Sequence, residues 1–213
     1  MHDLAYGVGQ MIAALGAADD PHSPPAADLD EAWSWADGDS DKCYAQAFAG
    51  EVGPQTVPLL LLMQGAAATA TLLASTDCCG ECRLAAFKHR LIVAHHIARS
   101  LAILRNSEWA GPAAGARVDA LLEDPDVRRV LGLRALRNGL VHLGLSDVPT
   151  IAFAASDPAR AVIEHYASGR PLETVDAFVR RALDRFHGGL TEWLLGSPRD
   201  GVGLVGLLRP PAH

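Results

Sequence analysis

The chain has 213 residues, of which 49% are hydrophobic, 20% charged and 6% aromatic, and it carries a net charge of −7 with a pI near 5.6. A chain of this length can bury a core without disulfide or metal staples, and its Ala- and Leu-rich, aromatic-poor composition favours packed helices over a β-sandwich. The acidic balance excludes a general nucleic-acid coat, which needs basic surface, and leaves room only for a local basic site.

Residues 4–18 read as a helix with Leu4, Val8, Met11, Ile12 and Leu15 on one face. They follow Asp3 and contain no Lys or Arg, which is the wrong charge for a secretory signal. Pro21, Pro24 and Pro25 break this helix, and a short one carrying Trp33 and Trp35 follows. The acidic turn at 37–41 lacks the spacing and the closing Glu of a calcium loop. Residues 43–51 suggest a helical turn or two. Thr56 is placed to cap a helix opening with Val57 and Pro58 and running to about Ser75. That helix is free of charge over 57–74, at the lower edge of a membrane span. Its Pro58, Gln64 and Gly65, and the lack of orienting basic flanks, make it a buried core helix instead. No membrane partner is expected, and the cytoplasm is the expected location.

A tight connector holding Cys78, Cys79 and Cys82 comes next. It resembles half of a zinc knuckle, but the second cysteine pair is missing, so free thiols and no bound metal or other cofactor are expected. The longest helix is expected at about 83–106, with Leu84, Phe87, Leu91, Ala94, Ala98, Leu101 and Ile103 or Leu104 as its buried stripe. His95 follows Leu91 by four and reads as a hydrogen-bonded core histidine. His89, His96 and Arg99 share the opposite face. After a loop around Pro112 and a short helix at 118–122, a single helix is expected from Asp126 to about Leu143.

This helix carries the most suggestive chemistry. Arg134, Asn138 and His142 are spaced four apart and form one polar line, with Leu133, Leu136, Leu140 and Leu143 beside it and Arg137 on the flank. Arg offers a planar fork for a phosphate, and His moves a proton near neutral pH. Arg128 and Arg129 precede them, making this the most basic segment of an acidic chain. Gly144 ends the helix just beyond the His.

A short extended stretch is expected at 148–154, and then a helix capped by Asp157 and ended by Gly169. The last long helix spans 172–195. Val175, Phe178, Val179, Leu183, Phe186, Leu190, Trp193 and Leu194 line its inner face, and Gly188-Gly189 invites a kink. Arg180, Arg181 and Arg185 with Glu173, Asp176 and Asp184 read as a solvated, charge-paired face. Together these elements predict an all-α protein, an antiparallel helical bundle of four to five long helices with short accessory ones. The domain would cover residues 1–195, with a Gly/Pro-rich tail at 196–213. Leu91, Leu101, Leu133, Leu136, Leu140, Phe178 and Leu183 are expected to be buried together.

The run Arg137-Asn138-Gly139-Leu140-Val141-His142 resembles the signature of the HEPN superfamily, an Arg followed by four to six residues and a His, often with Asn or Asp after the Arg. Bare Arg-to-His matches recur elsewhere, at Arg83 to His89 and Arg160 to His165 among others. Only the Arg137 match has the Asn, the apolar frame and the terminating glycine. The resemblance implies a homodimer with two motif helices across one cleft. It further implies a metal-independent endoribonuclease, as a toxin with its antitoxin protein or as a defence effector. Arg137 and His142 would be catalytic with Asn138, and Arg134 would bind the RNA substrate. Some members carry a Tyr two residues after the His, a target for modification, where this chain has Gly144. The alternatives are a non-catalytic helical module binding a nucleotide, RNA or partner protein, and a zinc-stabilised scaffold. No Gly-rich phosphate loop, serine nucleophile elbow or carboxylate pair competes with this reading.

Overall fold

The computed structural model describes residues 44–75, 80–107, 110–142 and 156–196. The expected helices and tryptophans before residue 43, the strand at 148–154 and the tail beyond 196 lie outside them. So do Cys43, Cys78 and Cys79, and the side chain of Cys82. Among the described residues the protein is all-α. There is no strand, only an isolated antiparallel bridge between Val52 and Ala110.

Near the start of the first described segment lies a 3-10 turn, Ala47–Gly50, in which Phe48 and Ala49 adopt left-handed backbone (φ 54° and 58°). That conformation is unfavourable for residues with a Cβ. It places the Phe48 ring, fully buried, edge-on to Trp193 at 5.3 Å. Helix α1 (Val57–Ser75) buries Val57, Leu60, Met63, Ala67 and Ala70 and leaves Leu59, Leu62 and Leu72 exposed. Among the described residues no helix is long and apolar enough to cross a membrane.

Helix α2 (Gly80–Arg105) buries the expected stripe from Phe87 on, with Leu104 rather than Ile103 completing it, while Leu84 is half-buried against the core. Helix α3 (Pro112–Leu122) starts earlier than the sequence suggested, because Pro112 occupies a first-turn position where its missing N–H costs nothing. Helix α4 (Pro125–Gly132) is capped by the Asp124 side chain, which accepts from Asp126 N and Val127 N at 2.8 and 3.3 Å.

The single motif helix expected from 126 to 143 is in fact two. Leu133 leaves helical geometry (φ −85°, ψ 24°), and helix α5 (Arg134–His142) begins after it. Gly132 weakens the helix just before the break. Leu133 turns its own side chain into the core, where it is buried with Leu136. Six of the seven leucine and phenylalanine positions expected in the core are buried, and Leu140 is half-buried against them.

Helix α6 (Pro158–Tyr166) is capped by Asp157, whose side chain accepts from Arg160 N, and the chain leaves it through Gly169 at φ 76°. Helix α7 (Leu172–Leu195) is the element the rest packs on, in contact with α1, α2, α4 and the 3-10 turn. It runs unbroken through Gly188-Gly189. At Gly189 a Cβ would lie 2.5 Å from Leu121 Cδ2, so this glycine serves a close helix approach rather than a kink.

Two ion-pair clamps tie α7 to its neighbours. Arg90 of α2, 1% exposed, donates through Nε and Nη2 to Asp176 Oδ1 at 3.0 and 2.6 Å, and Arg180 Nε donates to the other oxygen at 3.0 Å. Asp176 is therefore buried, not part of a solvated face, because α2 brings a guanidinium to it. Arg181 donates to both oxygens of Asp126 at the start of α4, and Arg129 adds a third bond. The Arg181 bond, ahead of those from Arg129, holds the Asp126 carboxyl below its ordinary value.

A basic cluster between α2 and α5 as candidate functional site

Helix α5 lies against α2. Its apolar stripe of Leu136 and Leu140 faces inward, so Arg137, one position on from Leu136, sits at the edge of the buried face and is half-buried. Arg137 Nη1 donates to Asn138 Oδ1 at 2.7 Å. Its Nη2 bonds His96 Nε2 of α2. Because arginine can only donate, this contact is a hydrogen bond for the His96 tautomer whose Nε2 carries the lone pair and whose proton is on Nδ1. The third arginine nitrogen, Nε, is buried without a partner among the described residues.

His95, the next residue on α2, is 3% exposed, and its Nδ1 also lacks a partner among the described residues. Burial was expected for it; the missing hydrogen bond was not. Both rings titrate below the ordinary histidine value of 6.5. Desolvation is the first cause in each case. Arg137, His96, Arg99 and Arg134 follow for His95, and Arg137 and Arg99 for His96. Among the described residues, the side chains that act on the pair are arginines and, for His95, its neighbour His96. Arg99 and Arg134 are exposed, and among the described residues neither forms an ion pair.

Of the four positions singled out by sequence, the fold brings Arg134, Arg137 and Asn138 together on α5. His142 is the last residue of that helix, and its ring lies outside the described side chains. Asn138 Oδ1 is occupied by Arg137 rather than left to orient an imidazole. Sequence reasoning missed His96 and Arg99. Their shared face on α2 was visible, but nothing in the spacing said that α5 would pack there.

The arrangement can neutralise and orient an anion, and its neutral histidines can exchange protons with one. Among the described residues no His, Cys, Asp or Glu grouping could hold a metal ion. A separate cavity of about 380 Å³ opens between the start of α1 and the end of α2, beside Leu59, Ser100, Ile103 and Leu104, with no ionisable side chain in its wall. No family model, curated protein or solved structure matches the chain.

Proposed function

We propose that this protein is a HEPN-like, metal-independent endoribonuclease acting as a toxin or defence effector, with Arg137 and His142 at its centre. In this reading the helices form an antiparallel bundle, and two chains pair through their α5 helices. The observation that supports it is the charge at Arg137. This guanidinium, half-buried in an acidic protein, contacts Asn138 and His96 and pairs with no carboxylate among the described residues, which leaves its charge for an incoming phosphate.

His142 would take the proton from the ribose 2′-hydroxyl. The 2′-oxygen then attacks phosphorus, the bond to the 5′-oxygen breaks, and a second acid returns a proton to that oxygen. The products are a 2′,3′-cyclic phosphate and a 5′-hydroxyl. Arg137 would steady the charge building on the phosphate oxygens, with Asn138 holding its fork, and Arg134 would guide the substrate backbone. A two-fold dimer would supply the second histidine.

The test is RNA cleavage in the presence of chelator, with the dimer checked by light scattering. His142→Ala should reduce cleavage about a hundredfold or more while leaving helicity unchanged. If the wild type and this variant cleave equally, or neither cleaves, the nuclease reading fails.

A second reading is a non-catalytic module that binds a nucleotide, RNA or a partner protein. It is favoured by the engagement of two Arg137 nitrogens within the chain, which suits a fixed binding surface as well as a reacting one.

A further inference from the structure

We propose that the seam between α2 and α5 seats a phosphate group, free or within a phosphodiester, on Arg99, Arg134 and Arg137 with His95 as its floor. The proposal rests on the reading that the Arg137 face handles phosphate. It extends that site to α2, a helix the Arg-to-His motif does not include.

Three observations carry it. First, the two buried polar atoms without partners in this region, His95 Nδ1 and Arg137 Nε, belong to the two helices that pack along this seam. A buried polar atom left unpaired keeps its full desolvation cost, and such atoms are usually completed by a water or a ligand. Second, the charges are unbalanced. Arg83, Arg105, Arg117, Arg129, Arg160 and Arg181 each reach a carboxylate. Arg99 and Arg134 form no such pair among the described residues, and neither do Arg128, Arg170 and Arg185, but of these only Arg99 and Arg134 act on His95. Third, the bonds Arg137 does make leave one buried donor unused. Asn138 and His96 hold Nη1 and Nη2, fixing the guanidinium plane, and Nε remains to donate. A phosphate has enough acceptor oxygens to bridge the two exposed guanidiniums at the rim and, by displacing what covers them, to take Nε–H and the proton of a His95 Nδ1–H tautomer.

The full chain is titrated in phosphate-free buffer with inorganic phosphate. A parallel titration uses a 2′-O-methyl oligoribonucleotide, which lacks the attacking hydroxyl. The histidine ring resonances are followed by NMR. The expected result is a saturable shift of the buried His95 ring. Arg99→Gln and Arg134→Gln should each weaken binding about tenfold or more, the usual effect of losing a charge-assisted hydrogen bond. Both residues are exposed, so circular dichroism should report an unchanged fold. Arg105→Gln should leave binding unaltered, since Arg105 lies about 9 Å beyond Arg99 along α2 by helical rise and pairs with Asp119.

Competition between the two probes would assign the seat to a phosphodiester, and phosphate binding alone would assign it to a small phosphate; both support the proposal. Absence of a saturable shift, or shifts that both Gln variants leave at wild-type strength, overturns it. The outcome is independent of cleavage. Phosphate binding by a protein that cuts no RNA keeps the seat and removes the nuclease. His142-dependent cleavage indifferent to Arg99→Gln keeps the nuclease and removes the seat.

Discussion

Removing the Asp176 carboxylate should be among the most damaging single changes to this fold. Asp176 is 6% exposed and accepts three N–H bonds, two from Arg90 and one from Arg180. Arg90 is 1% exposed and stays charged at any ordinary pH, so Asp176→Ala strands a cation in the interior. Loss of one partner of a buried pair costs about 3–5 kcal/mol, a large share of the roughly 5–15 kcal/mol that holds a typical domain together. Replacing both partners by apolar residues of similar volume removes the stranded charge. Arg90→Met combined with Asp176→Leu should therefore cost less than Asp176→Ala alone. Urea melts at pH 7, followed by helical circular dichroism, measure all three. An Asp176→Ala unfolding free energy within about 0.5 kcal/mol of wild type would refute the reasoning, since it would mean that the Arg90 charge finds water or another partner. Arg90 lies five residues before His95 on α2, so this clamp also fixes the helix that carries half of the basic cluster.

Leu136, 1% exposed on the inner face of α5, should cost about 2–5 kcal/mol when cut to alanine; a denaturant melt showing almost no change would mean that α5 is not packed as described. Stability should fall as pH drops from 7 towards 5. His95 and His96 bind protons less readily folded than unfolded, so between the folded value and 6.5 the unfolded chain holds more protons and gains from acid. The buried His95 should dominate this loss, because the exposed His96 is screened by solvent. Melts of His95→Gln in phosphate-free buffer should show a flatter pH profile than wild type, and an identical profile would remove His95 as the cause.

The sequence by itself determined the helical class, because an uncharged apolar run marks α1, apolar residues recur at helical spacing in α2 and α7, and several caps announce themselves locally. Asp157 before Pro158, Gly169 after Tyr166 and the inner face of α7 were all legible in this way. The buried stripe of α2 and six of seven core positions followed from the same periodicity. What periodicity cannot supply is the identity of the facing element. A lone Asp176 looks solvated until α2 delivers Arg90 to it, and Gly189 looks like a kink until Leu121 fills the space a Cβ would take. The break at Leu133 was hidden too, since an apolar residue drawn into the core reads as one more member of a continuous stripe. The candidate site shows the same division. Arg134, Arg137 and Asn138 are joined by chain spacing alone. His95, His96 and Arg99 lie some forty residues earlier, and only the packing of α2 against α5 brings their charges to bear on one another.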